Sequence, residues 1–220
     1  KEGCDLIRCF HSHIGHLTFH PSSSYKYLFE DKRFLQSLVN TVIYAAVVPA
    51  LSVGLSLMIA NTLANLKNEK LKGVFQSIYF LPYVTSLVAI GVVWSWLFNG
   101  QYGIINYLLG FIGIDPINWL SDPNWAMPAL IIFSVWKSLA FNTLILTTGI
   151  ASINPQYYQA AKIDQATNST IFRKITIPLV SPIILYTYII SLIAGFKVYT
   201  EVFVLFNGRT LDGRVSTVVM

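Results

Sequence analysis

Three long stretches without any charged residue constrain the fold of this chain more than any other feature. No Asp, Glu, Lys or Arg occurs from Phe34 to Leu66, from Gly73 to Ile114, or from Ile175 to Phe196. A membrane-spanning helix needs about 20 apolar residues, and its backbone satisfies its own hydrogen bonds in lipid. The stretches therefore predict transmembrane helices. Barrel strands are excluded because they are about 10 residues long with alternating polarity, which these stretches lack.

The composition supports lipid as part of the solvent. Only 11% of the residues are charged, against about 25% in soluble domains. So few charges cannot cover the surface of a soluble protein of this size. The formal net charge of +5 does not indicate nucleic-acid binding, because the basic residues are thinly spread between apolar stretches. Their distribution is better explained by membrane topology.

We predict an all-α, polytopic bundle with four spans, at about 36–63, 75–98, 126–150 and 176–197. A fifth apolar stretch, 104–113, is too short to cross and is expected to form an interfacial helix. Trp119 and Trp125 lie near it in the sequence and are expected to be headgroup anchors. Pro49 and Pro82 are expected to kink their helices.

The loops between the predicted spans differ in charge. The loop 66–72 carries three lysines, and the loop 151–175 carries Lys162, Arg173 and Lys174, whereas 99–125 has neither Lys nor Arg. Basic loops stay on the cytoplasmic side. We therefore place 66–72 and 151–175 in the cytoplasm and 99–125 outside.

The ends of the chain fit this topology less simply. It places residues 1–35 outside without an earlier span, and Val215 to Met220 resembles the opening of another apolar stretch. We expect a first and a last span to be lacking, an external or disordered leader at 1–24, and a transmembrane domain at 25–220. Both cysteines and all four histidines lie in the first twenty residues. Their spacing matches no standard zinc module, so we predict no metal site, and nothing indicates a catalytic residue.

The most informative segment is the cytoplasmic loop 151–175. Asn154 and Pro155 are a helix-start signal, and a short helix is predicted from Pro155 to about Thr167, ended by 168–170, which can cap the next helix. Ala160 and Ala161 are small, so another surface can approach them closely, and an exposed helix of this kind is typical of a docking element. An ordinary polar connector is the alternative reading.

The loop resembles the cytoplasmic signature of binding-protein-dependent ABC importer permeases, with the carbohydrate group as its nearest form. The matching pattern is Gln159-Ala160-Ala161-x-x-Asp164-x-Ala166, followed by Phe172-x-x-Ile175-x-Ile177-Pro178. The resemblance covers about residues 25–215 and implies a type I importer permease fold, with 25–220 as the permease domain. Two positions depart from the usual signature: Gln159 stands where Glu is usual, and Gln165 where Gly is usual.

The resemblance implies that the signature helix fits a groove on a cytoplasmic ATPase and transmits its closure to the spans. The residues that carry this implied coupling are Gln159, Ala160, Ala161, Asp164, Ala166, Phe172 and Pro178. No phosphate-binding Gly-rich loop is present, so ATP and Mg are expected to be used by the partner ATPase and no cofactor by this chain. The other implied partners are a second permease, expected to be a different chain, an ATPase dimer, an extracytoplasmic solute-binding protein, membrane lipid and a small sugar. The implied location is the bacterial plasma membrane.

Several polar and aromatic residues within the spans are candidates for contacting a sugar, although hydroxyl groups at helix interfaces often only join helices. The candidates are Thr85, Ser86, Trp136, Asn142, Thr143, Thr147, Tyr188 and Ser191. Lys137 is a sharper case, because a charge inside a span should face a cavity or a partner. Snorkelling to the outer interface is the alternative.

Other functions stay open. A permease of the same family could carry amino acids, phosphate or another oxyanion. An ion-coupled secondary transporter is less consistent, because the spans contain almost no Asp or Glu, and Glu201 lies at the end of a span. An intramembrane enzyme would need a catalytic constellation at depth, and all four histidines lie in the leader.

Overall fold

A computed structural model describes residues 32–66, 68–206 and 208 of the chain. The chain divides into two units, residues 1–35 and 36–220. The first is described only at 32–35, so the account below concerns the second. All regular structure in the described ranges is helical, in agreement with the predicted class. The Cys- and His-containing segment and the apolar stretch 215–220 lie outside the described residues.

The described part of the chain contains nine α-helices and one π-helical turn. The helices are α1 Lys32–Ala64, α2 Glu69–Val84, α3 Leu87–Leu97, α4 Ile104–Gly110, α5 Pro123–Ala151, α6 Pro155–Ile163, α7 Asn168–Ile171, α8 Ile177–Phe196 and α9 Thr200–Phe206. The π-helical turn Phe172–Thr176 joins α7 to α8, so that a helix runs without interruption from Asn168 to Phe196.

Three of these helices are long and apolar enough to cross a membrane: α1, α5 and the continuous helix Asn168–Phe196. They confirm the first, third and fourth predicted spans. The second predicted span, 75–98, is bent much more sharply than the kink expected at Pro82. Its residues form two helices, α2 and α3, that meet at an angle of 99°. As one broken span, this pair completes the four predicted crossings.

The break between α2 and α3 has a local cause. Pro82 removes one backbone donor inside α2. Three residues later, the Thr85 hydroxyl donates to the Leu81 carbonyl at 2.8 Å, the same carbonyl that accepts the Thr85 N–H at 3.3 Å. Side-chain bonds of this kind bend helices, and Thr85 and Ser86 both leave helical backbone geometry. Pro49, in contrast, lies inside an α1 that continues without a break.

Two apolar clusters hold the bundle together, and a polar layer lies between them. The first cluster joins Tyr44 of α1, Phe133 of α5 and Val202 of α9, among others. The second joins α1, α5 and α8 through residues such as Ala60, Leu146 and Val180. Between Phe133 and Leu146, α5 carries Ser134, Lys137, Ser138, Asn142 and Thr143. The polar side chains therefore collect near the middle of the longest crossing helices.

The loop 99–125 is organised by Asn106, a buried side chain on α4. Its amide nitrogen donates to the carbonyls of Ile117 and Gly100 at 2.8 and 3.0 Å. Its amide oxygen accepts the indole N–H of Trp119 at 2.8 Å and the backbone N–H of Ile117 at 3.3 Å. The predicted short helix is confirmed, but the role of Trp119 as a headgroup anchor is wrong. Its ring is buried, 6% exposed, against Phe98.

Candidate functional site

Helix α6 begins as the sequence predicts. Asn154 is the N-cap, and its side-chain oxygen accepts the Gln156 N–H at 3.0 Å. Pro155 occupies the first helical position, where its missing N–H is not needed. The loop that precedes α6 meets the ends of α1 and α2 at the same end of the bundle, around a cavity bordered by Asn65, Lys72 and Tyr158. Both loops predicted to be cytoplasmic therefore lie on one side.

Helix α6 ends earlier than predicted, at Ile163 rather than near Thr167. The Ala166 N–H donates to the Ala161 carbonyl at 3.0 Å, and the Gln165 N–H donates to the Lys162 carbonyl at 3.1 Å. This pair of bonds is a Schellman ending, whose C′ position takes a left-handed backbone. Gln165 occupies that position with φ = 54°. The cap of the next helix is Thr167 rather than Asn168, Ser169 or Thr170.

The two small residues of α6 point to different surroundings. Ala161 is buried, 7% exposed, whereas Gln159, Ala160 and Asp164 are exposed. The surface available to another protein therefore contains Ala160 but not the side chain of Ala161. The exposed face also carries Ile163, which is 82% exposed and was not predicted as part of the surface.

The remaining signature residues lie between the loop and α8. Ala166 and Phe172 are partly buried, and Pro178 is exposed near the start of α8. Tyr158, on the inner side of α6, places its hydroxyl 3.2 Å from the Thr176 hydroxyl. Thr176 is buried in the π-helical turn, a rare element that occurs frequently at functional sites. The inner side of α6 therefore contacts the base of a membrane-spanning helix directly.

A cavity of about 170 Å³ lies within the polar layer. Its walls come from α1, α2, α5, α8 and α9, and they include aromatic rings, hydroxyl groups and one amide. The aromatic members are Tyr44, Tyr83 and Phe141, and Tyr83 stacks on Phe141 with their ring centres 5.3 Å apart. Three predicted candidates, Lys137, Asn142 and Ser191, line this cavity.

Lys137 lies at the centre of α5 and is paired with a carboxylate. Its Nζ is 2.8 Å from Oε1 of Glu201, near the start of α9, and the two side chains are 28% and 20% exposed. A lone charge at the centre of a span costs about 2.5–3.5 kcal/mol on insertion scales. Lys137 therefore faces both a carboxylate and a cavity, which explains how its charge is accommodated.

Asn142 joins three helices. Its side-chain nitrogen donates to Ser52 Oγ of α1 at 3.2 Å, and its oxygen accepts from Ser191 Oγ of α8 at 3.3 Å. Asn142 itself is almost fully buried, 1% exposed. These bonds satisfy a buried amide that would otherwise be costly, so Asn142 and Ser191 have a structural role in addition to bordering the cavity.

The other candidates lie away from this cavity. Trp136 packs on Trp94, with ring centres 5.2 Å apart, and Tyr188 packs against the second apolar cluster. Thr143 and Thr147 are buried beside Gln76 and Phe80 of α2. Thr85 and Ser86 form the break between α2 and α3.

The sequence did not predict Glu201 as a residue of the cavity wall or Ser52 as a partner of Asn142. A usable signal existed for Glu201, because a lysine at the centre of a span needs a counter-charge, and Glu201 is an acidic residue close to the end of another span. Ser52 carried no such signal, since small hydroxyl residues are common throughout α1.

The chain is similar to proteins of known family. The sequence profile of the family described as "Binding-protein-dependent transport system inner membrane component" matches residues 52–217. The trehalose/maltose transport system permease protein MalF of Thermococcus litoralis is 32% identical over 187 residues, which are 84% of this chain and 62% of that protein. The lactose transport system permease protein LacF of Rhizobium radiobacter is 37% identical over 180 residues, 80% of this chain and 59% of that protein.

The fold also has a solved counterpart. A chain of a bacterial ABC transporter involved in the import of the acidic polysaccharide alginate superimposes with a TM-score of 0.81. It is 23% identical, and the alignment covers 94% of this chain and 74% of that one. The present chain spans about six tenths of the length of the two sugar permeases.

Proposed function

Because the chain belongs to the family of binding-protein-dependent transport system inner membrane components, we propose that it is the membrane-spanning permease of an ATP-driven sugar importer. The names of its relatives support a sugar: one carries trehalose or maltose, and another lactose. The multi-pass helical bundle is consistent with this role, and the proposed location is the bacterial plasma membrane.

The observation that carries the proposal is that the exposed helix α6 contacts the base of α8, a spanning helix that also borders the polar cavity. The outer face of α6 presents Ala160 and Ile163, while Tyr158 on its inner face contacts the base of α8. In the proposed importer, the outer face binds a cytoplasmic ATPase dimer that hydrolyses ATP with Mg. Movement of α6 then reaches α8, whose Ser191 borders the cavity.

The size of the cavity supports a second permease. Binding pockets for small molecules usually enclose about 300–1,000 Å³, whereas this cavity encloses about 170 Å³. We propose that it forms one part of a path that a second, different permease chain completes. An extracytoplasmic binding protein delivers the sugar to the outer end.

Reconstitution of the full complex tests this function. Ala160→Trp adds bulk to the outer face of α6 and is expected to reduce solute-stimulated ATP hydrolysis at least about tenfold, the loss expected when a central interface contact is replaced by a clash. Ala50→Trp, at an exposed position within α1, is the matched control and should leave hydrolysis unchanged. Copurification without an ATPase subunit, or uptake driven by an ion gradient in the absence of ATP, would refute the proposal.

A further inference from the structure

We propose that the Lys137–Glu201 ion pair keeps the cavity electrically neutral and so makes this subunit select uncharged solutes over carboxylated sugars and oxyanions. This inference rests on the proposed function, because it specifies which sugars that function admits. It assigns a selectivity role to two residues on different helices, α5 and α9.

The lining of the cavity carries the argument. Lys137 and Glu201 are the charged side chains among its described lining residues, and their charged atoms are 2.8 Å apart. The other polar side chains of the lining are neutral, namely the hydroxyls of Ser134, Ser138, Ser191, Tyr44 and Tyr83 and the amide of Asn142. Such groups can exchange hydrogen bonds with sugar hydroxyls without a counter-charge.

The paired charges remove any electrostatic preference of the cavity for anionic solutes. A cleft lined by charge of one sign raises the local concentration of oppositely charged solutes and their association rates by about 10- to 1,000-fold. Here the ammonium and the carboxylate cancel, so an anion gains no such attraction. A carboxylated sugar would still lose its hydration on entering, with no unpaired cation to compensate. A neutral sugar loses less.

The charge of the cavity can be measured without knowing the solute. In the full chain, assembled with its partner subunits and solubilised in detergent, Cys4, Cys9 and every other cysteine of the assembly are replaced by serine. Ser138→Cys then places a single thiol in the cavity wall. An anionic sulfonatoethyl and a cationic trimethylammonium-ethyl methanethiosulfonate are then reacted with it. The ratio of the two rates reports the local potential, because the thiolate fraction cancels.

Three variants make the expected result specific. Glu201→Gln should shift the rate ratio toward the anionic reagent by at least about tenfold. Lys137→Gln should shift it toward the cationic reagent by a similar factor, and it keeps the test possible if Glu201→Gln does not assemble. The double variant Lys137→Gln/Glu201→Gln should return to the parent ratio. Unchanged ratios in the two single variants would overturn the inference.

Uptake measurements separate this inference from the proposed function. The parent complex should take up at least one of maltose, trehalose and lactose, without inhibition by digalacturonate, whereas Glu201→Gln should become sensitive to digalacturonate. Inhibition of the parent complex by digalacturonate would overturn the selectivity role. The complex could instead take up none of the three neutral sugars while the ratio of the two methanethiosulfonate rates still shifts as expected in the Glu201 and Lys137 variants. That result would contradict the sugar assignment and support the neutrality of the cavity.

Discussion

Replacing Gln165 with glycine should stabilise the end of α6. Gln165 occupies the C′ position of the Schellman ending with φ = 54°, a region that glycine enters without steric cost. Its neighbours Lys162 and Ala161 accept the two bonds that define this ending. The signature to which the loop is similar usually has glycine here. The loop therefore places a residue with a Cβ in a left-handed backbone conformation, where glycine would carry less strain.

The size of the effect can be worked from two opposing terms. A left-handed conformation costs a residue with a Cβ roughly 1–2 kcal/mol. Glycine loses more backbone freedom on ordering, which offsets about 0.5–1 kcal/mol of the gain. Taking the lower values together and the upper values together, the net stabilisation of Gln165→Gly is about 0.5–1 kcal/mol. With RT about 0.6 kcal/mol, this corresponds to a roughly two- to fivefold change in the local opening equilibrium.

Amide hydrogen exchange on the assembled complex measures this opening directly. The N–H groups of Gln165 and Ala166 make the two closing bonds, so their exchange in Gln165→Gly, corrected for intrinsic rates, should slow two- to fivefold as estimated above. Gln165→Ala is the matched control, since it shortens the side chain but keeps the Cβ. Exchange that is not slowed by glycine, or that alanine slows equally, would refute the explanation based on backbone strain.

Two further changes test contacts that the sequence did not reveal. Asn106→Leu removes every bond of the buried amide and leaves the buried Trp119 indole N–H without its acceptor, at a cost of about 1–3 kcal/mol. The thermal midpoint in detergent should fall by several degrees, and a fall no larger than that of the exposed neighbour change Tyr107→Leu would contradict this. Tyr158→Phe removes the hydroxyl next to Thr176 and should lower the sugar taken up per ATP hydrolysed, whereas the neighbouring change Tyr157→Phe should not; equal effects of the two would rule out the contact as the link between α6 and α8.

The spans and the start of the loop 151–175 could be predicted because they depend on local properties of the sequence. Apolar length fixed the positions of α1, α5 and α8, since the lipid requirement acts on each segment by itself. The start of α6 was equally local, because Asn154 and Pro155 act on the helix that they begin. The family resemblance of 159–178 added the docking role, which remains a proposal.

Features set by contacts between distant segments could not be predicted. The angle between α2 and α3 depends on how Thr85 and Ser86 redirect the backbone, and Pro82 alone indicated only a kink. The pattern of small residues in α6 did not reveal that Ala161 would be buried while Ala160 stays exposed. The early end of α6 at Ile163 was also missed, because glutamine is not a residue that usually signals a left-handed cap.

The placement of polar contacts along α8 explains how the loop and the cavity can be linked in the proposed importer. At its base, the Thr176 hydroxyl lies next to Tyr158 of α6. Toward its other end, Ser191 donates to Asn142, which in turn donates to Ser52. These two points are about four helical turns apart. A helix held only by apolar contacts could slide or rotate at either point with little directional preference. Hydrogen bonds are directional, so a displacement of α6 that tilts α8 must also strain or rearrange the network at the cavity wall.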